Sequence, residues 1–127
     1  MQILISMKII INDHRKIHAL QEEFNNLFPY LKIEFLGKAS GAMASPSPKS
    51  VASNSQKLGE VRIMHNKGTV TISPEMSSSE LEQDFRDVFG LNVRFYRKSG
   101  KEWLSITTTD KWSLEQQNKE GMSLSKL

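Results

Sequence analysis

Apolar and polar residues alternate from the start of the chain. Ile3, Ile5, Met7, Ile9 and Ile11 fall on one face of an extended segment and Ser6 and Lys8 on the other, which predicts a strand over 3–11. The period then changes. Ile17, Leu20, Phe24, Leu27 and Phe28 recur at helical spacing and define one buried helix face. Asn12 or Asp13 is its expected cap, because a short acceptor side chain satisfies the free amides of a first turn. Pro29 has no amide and disfavours a helical Phe28, so the helix should stop just before it. Leu31, Ile33 and Phe35 alternating with Lys32 and Glu34 predict a second strand.

Residues 37–57 break the pattern. They are rich in Ser, Ala, Gly and Pro and offer almost nothing to bury, so they are expected to form a long, linker-like loop within the domain. Alternation returns over 58–64 and 69–73. It predicts a hairpin about His65-Asn66-Lys67-Gly68, with Gly68 at positive φ and Val61 and Ile63 facing Ile72 and Val70. Ser77 and Glu80 form a capping box flanked by Met76 and Leu81, a hydrophobic staple. Leu81, Phe85, Val88 and Phe89 make that helix's apolar stripe, and Gly90 suits its left-handed stop. A further hairpin is expected from 91–97 and 102–108 about Ser99-Gly100. Its register would pair Phe95 with Leu104 and Val93 with Ile106 on the core face, and Tyr96 with Trp103 on the other. Ser113 and Gln116 resemble a second capping box, opening a short helix that ends at Gly121, with a frayed tail at 122–127.

The resulting order, βαβ-ββαββα, is α+β, and one domain spans 1–127. Strand–helix–strand at 7–36 and again at 69–97 hints at a duplication. It favours a ferredoxin-like two-layer sandwich with added strands; the alternative is a β-grasp-like C-terminal half over 58–109. The core is expected to hold Ile9, Ile17, Leu20, Phe24, Ile33, Phe35, Val61, Ile72, Leu81, Phe85, Val93, Phe95 and Ile106.

Composition narrows function mainly by exclusion. The chain has 127 residues, 38% of them hydrophobic, too apolar for a disordered chain and enough for one modest core. It has no cysteine, which removes disulfides, Cys-based zinc sites and thiol chemistry. No apolar run reaches the roughly 18 residues of a membrane-spanning helix, and the start lacks a signal-peptide pattern, so a cytoplasmic protein with no membrane partner is expected. His14 and His18 stand one helical turn apart, but a structural metal site needs about four ligands, so no metal or cofactor is expected. No nucleophile elbow or phosphate-binding glycine loop is present. Ser47, Lys49 and Ser50 lie in the loop, where no catalytic group would be held. Glu80, Glu82, Asp84 and Asp87 read as the solvated face of a helix. An enzyme without a recognisable motif is therefore the third reading, behind two binding ones, and no catalytic residue is assigned.

Charge is more informative in its distribution than in its sum. The net charge is +3, yet 74–90 set five acids against Arg86 alone, and 91–112 set five bases against Glu102 and Asp110. In the basic segment, Arg94, Tyr96 and Trp103 are expected on the face away from the core, and Arg97, Lys98 and Lys101 at or near the hairpin tip. Aromatic and basic groups arranged like this serve interfaces between proteins, and they also stack and hold single-stranded nucleic acid. The leading expectation is a small interaction module acting as a homodimer through this outer sheet face. The alternative is single-stranded nucleic-acid binding through hairpin 94–103.

The run Phe89-Gly90-Leu91-Asn92-Val93-Arg94-Phe95-Tyr96-Arg97-Lys98-Ser99-Gly100, with Trp103-Leu104 and then Thr107 to Asn118, resembles a group of small uncharacterised bacterial proteins. They carry F-G-L-x-V-x-x-[FY]-R-K-S-G-x-x-W-L and T-x-T-D-x-W-[ST]-L-x-x-Q-N. The resemblance covers about the last third of the chain and implies no activity, cofactor or catalytic residue. It directs attention to Arg97, Lys98, Ser99, Trp103, Asp110 and Trp112. By their own chemistry, Asp110 is a candidate cap for the last helix and Trp112 a candidate anchor of that helix on the sheet.

Overall fold

The fold was analysed in a computed structural model, which describes residues 6–37 and 51–126. The elements are β1 (Met7–Ile11), α1 (Ile17–Leu27), β2 (Leu31–Phe35), a 3-10 turn (Leu58–Glu60), β3 (Gly68–Ile72), α2 (Ser78–Phe89), β4 (Val93–Ser99), β5 (Glu102–Ser105) and α3 (Leu114–Ser125). The class is α+β, consistent with a ferredoxin-like arrangement. Its strands form two antiparallel sheets, β1-β3 and β2-β4-β5. Among the described residues no helix is long and apolar enough to cross a membrane. Ile3 and Ile5 lie outside the described residues.

Burial follows the alternation and the helical stripes. Twelve of the thirteen expected core residues are buried, and Ile106 is partly so. Phe24 packs on Phe95 with ring centroids 5.5 Å apart, and Phe85 meets Phe35 edge-on at 5.8 Å. These contacts put α1 and α2 on the same face of β2-β4-β5. α3 joins them there, with Gln117 bonded to Arg97 at 2.8 Å. All three helices therefore cover the face that carries Ile33, Phe35, Val93 and Phe95. Among the described residues the other face carries no helix.

One strand of the expected order is absent. Leu58–Glu60 is a 3-10 turn, and β3 pairs instead with β1, setting Ile9 against Val70 and Met7 against Ile72. Alternation over 58–64 is misleading here: Val61 is buried, but Ile63 is 77% exposed and Arg62 lies inside. Without that hairpin the β-grasp alternative falls, and Gly68 sits in a strand without positive φ. The loop expected at 37–57 is in part structured. Leu36 bridges Val51, Ala52 N–H donates to Phe35 O at 2.8 Å, and the carbonyls of Gln56 and Asn54 accept from Ile17 and His18. Those two carbonyls, rather than Asn12 or Asp13, satisfy the first turn of α1, whose N-cap is Lys16. Asn12 Oδ1 accepts from His14 and Arg15 in the turn before it. Residues 38–50 lie outside the described residues.

The hint of duplication becomes a repeat. Adding 61 to the numbers of β1 and α1 gives β3 and α2, the latter one residue longer, and adding 62 to β2 gives the first five residues of β4. The connections repeat as well. Leu58 N–H donates to Arg15 O as Leu114 N–H does to Met76 O, at 2.9 and 2.8 Å; Gly59 to Asp13 O corresponds to Glu115 to Pro74 O. The bridge Lys16–Lys57 corresponds to Ser77–Ser113. Ser77 and Ser113 cap α2 and α3 through the amides of Glu80 and Gln116, and Gly90 closes α2 at φ 64°. α3 does not stop at Gly121, nor does a frayed tail begin at Met122. The helix continues to Ser125 because Gly121 is where it presses against Tyr30; a Cβ there would lie 2.9 Å from that of Tyr30.

Candidate functional site

The uncovered face of β2-β4-β5 is built by register. Lys32 stands opposite Tyr96, Glu34 opposite Arg94 and Lys98 opposite Trp103, so these side chains project from one side of the sheet. The turn between β4 and β5 lies one residue later than the spacing suggested, at Gly100-Lys101 with Gly100 at φ 64°. Trp103 therefore faces Lys98, Tyr96 faces Ser105, and Leu104 sits opposite Arg97 and remains 45% exposed.

Cations and rings interleave on this face. Lys32 Nζ lies 5.0 Å from the Tyr96 ring centroid and 5.3 Å from that of Trp103, and Lys98 Nζ lies 5.7 Å from Trp103. Lys32 also pairs with Glu34 at 3.4 Å. Tyr96 and Trp103 are half-buried. Of the expected site residues, Arg94, Tyr96, Lys98 and Trp103 come together, and Lys101 is exposed at the turn. Arg97 does not join them. It points to the helix side, over Trp112 at 5.6 Å and bonded to Gln117. Trp112 thus helps to fasten α3 to the sheet. Asp110 does not cap α3; its carbonyl accepts from Ser79 N–H and Ser78 Oγ.

Lys32 and Glu34 escaped the sequence reading. Their alternation placed them on the polar side of a strand, but no local signal said that this strand would pair with β4. The edge of β2 is sealed by α1: Gln21 Nε2 donates to Ile33 O at 2.9 Å and Asn25 Nδ2 to Leu31 O at 3.1 Å. Where the polar flank of α1 meets the outer face, an open cleft of about 520 Å³ runs from His18 and Glu22 to Trp103.

A second polar cluster lies elsewhere. Arg62, 1% exposed, donates from Nε and Nη2 to Asp13 Oδ1 at 3.0 and 2.8 Å, and from Nη1 to the carbonyls of Asn66 and Phe89. His65 Nδ1 lies 2.8 Å from Asp13 Oδ2. The hydrogen bond from His65, with the bond and charge of Arg62, holds the Asp13 carboxyl below its ordinary value of 3.8 against the opposing push of desolvation. With both oxygens engaged, this carboxylate is a structural tie. Among the described residues no three His, Asp or Glu side chains are gathered as for a metal ion. Comparison with protein-family models, with curated proteins and with solved structures finds no match to this chain.

Proposed function

We propose that this protein binds single-stranded nucleic acid on the outer face of β2-β4-β5. The observation that carries the reading is the Lys32–Tyr96–Trp103–Lys98 layer: two rings with ammonium groups beside them, on a sheet face that no helix of the described residues covers. Unpaired bases stack on such rings while cations hold the phosphates. Arg94 and Lys101 extend the positive surface, and Glu34 is the acid opposite Arg94 within it. A symmetric homodimer through this face, the other reading of the same residues, would set Lys32, Arg94 and Lys98 against their own copies, and like charges across an interface are unfavourable. A second copy would instead have to offer the acidic surface of α2, where Glu80, Asp84 and Asp87 are exposed. That head-to-tail contact builds chains unless its rotation closes.

The test is fluorescence anisotropy with a mixed-sequence single-stranded 12-mer, as RNA and as DNA, over a salt series. Binding should weaken steeply with salt as counterion release predicts. Trp103→Ala should weaken it about 5- to 100-fold, the range for losing one stacking platform, with the far-ultraviolet circular dichroism unchanged. No binding at low salt and tens of micromolar protein refutes the reading. Light scattering that finds a stable dimer, dissociated by Trp103→Ala, would replace it with self-association.

A further inference from the structure

The cleft beside Trp103 has a chemistry of its own. Gln21 and Asn25 line it, and the NH2 group of each is committed to the edge of β2: Gln21 to Ile33 O, Asn25 to Leu31 O and, at 3.3 Å, to Pro29 O. Asn25 has both N–H groups engaged and keeps only its carbonyl oxygen as an acceptor, while Gln21 keeps its carbonyl oxygen and one N–H. The carboxylates of Glu22 and Glu34 line the same cleft, so with the amide oxygens of Gln21 and Asn25 four acceptor groups face it, beside His18 and Asn54. Trp103 provides a flat apolar wall, and Lys32 contributes a cation held over that ring.

A ligand that satisfies this set is planar, presents adjacent donors along one edge and carries an acceptor beside them. Among the nucleobases, guanine alone has two neighbouring donor groups, N1–H and the 2-amino group, next to an acceptor, O6. Uracil and thymine have one ring donor between two carbonyls. Adenine and cytosine have an amino group beside ring acceptors, which would face the acceptor rim unpaired. A guanidinium also offers donors on a flat group, but it has no acceptor to meet Lys32, as O6 of guanine does. We propose that the cleft is a guanine subsite. Trp103 stacks the base, the oxygens of Gln21, Asn25 and Glu22 accept from its donor edge, and Lys32 donates to O6. This rests on reading the outer face as a single-strand surface, with the cleft reading one base of the strand.

The experiment compares binding of a uridine 9-mer, the same strand with one central guanosine, and the same strand with inosine there, which lacks only the 2-amino group. Guanosine and inosine monophosphates are titrated alongside. Guanine should tighten binding about tenfold or more over uridine, the range for a well-formed donor–acceptor pair. Inosine should lose most of that gain, and GMP should bind better than IMP. Glu22→Gln, on the exposed flank of α1, should narrow the guanine–inosine gap while tightening binding of every strand alike through the lost negative charge; a Glu22→Gln gap equal to the wild type's removes Glu22 from the rim. If all three strands bind equally, the subsite is refuted and the single-strand reading stands. If no strand binds but GMP is preferred to IMP, the subsite stands and the single-strand reading fails. Binding of N-acetylarginine amide in place of guanine would overturn the subsite.

Discussion

Arg62 is the one fully buried charged side chain among the described residues, and its surroundings explain how that is tolerated. A buried guanidinium is costly unless each face of its fork meets an acceptor, and here Asp13 and two carbonyls supply them. The Asp13 carboxyl is held below 3.8 in the folded state, first by the His65 hydrogen bond and then by Arg62. The unfolded chain releases that hold and binds the proton more readily. The stability tied to Asp13 is thus fully present above about pH 4 and is lost as pH falls through the lowered folded value. Asp13→Asn should be less stable than the wild type at pH 7, and the two should converge in thermal melts taken from pH 5 down to pH 2. Parallel curves would show that the carboxylate contributes nothing specific. This tie was not legible in the sequence. Asp13 and Arg62 are 49 positions apart, and each by itself reads as a surface charge.

At the scale of elements, what was legible is what is local. The Ser77 and Ser113 caps, the αL stop at Gly90 and most of the stripes of α1 and α2 are each written within a turn or two of chain and are found. The return bond of each capping box is not, and Val88, expected in the α2 stripe, is exposed. What was not legible is which partner an element chooses. The segment 58–64 has a strand's alternation, but β3 gains more from β1, which offers Ile9 to Val70 and Met7 to Ile72. The candidate site follows the same division. Tyr96, Lys98 and Trp103 were visible as one hairpin, whereas Lys32 joined them only through the β2-β4 pairing. Two substitutions test the packing. Phe85→Ala empties a site in which the ring is 1% exposed, and should cost about 3–5 kcal/mol in chemical denaturation. Gly121→Ala, in mid-helix, would gain about 1 kcal/mol from helix propensity alone. The new methyl would press on Tyr30 and Arg97, so the measured change should instead be a net loss, of the order of 1–3 kcal/mol for overpacking. A stabilised Gly121→Ala would mean that α3 sits further from Tyr30 than its glycine implies.

For the whole molecule, the repeat matters most where its halves cross. Arg62, just beyond the 3-10 turn of the first half, donates to Phe89 O at the end of α2 in the second. Asn118, on α3 of the second half, accepts from Tyr30 N–H just beyond α1 of the first, at 2.8 Å. Each half therefore closes the C-terminal end of the other's helix, and the β1-β3 and β2-β4 pairings join them again. Units tied reciprocally like this should not unfold one at a time, unlike stacked repeats that touch only their neighbours. Replacing one latch should then loosen the opposite half. Arg62→Met keeps most of the side-chain volume but strips the ion pair and the bonds to Asn66 and Phe89. The loss falls on the carbonyls of Asn66 and Phe89, which are left without that donor, since Asp13 is partly exposed and keeps His65. Asn118→Ala leaves the Tyr30 amide without its acceptor, at about 1–3 kcal/mol. Native-state hydrogen exchange separates local from transmitted effects. In Arg62→Met the amides that close α2, Gly90 and Leu91, should lose protection along with those of the first half. In Asn118→Ala the loss should appear at Tyr30 and Leu31 as well as in α3. Denaturation by either probe should remain a single transition. If each variant instead deprotects only its own half, or the melt splits in two, the halves are independent domains in contact and the crossed latches carry no cooperativity.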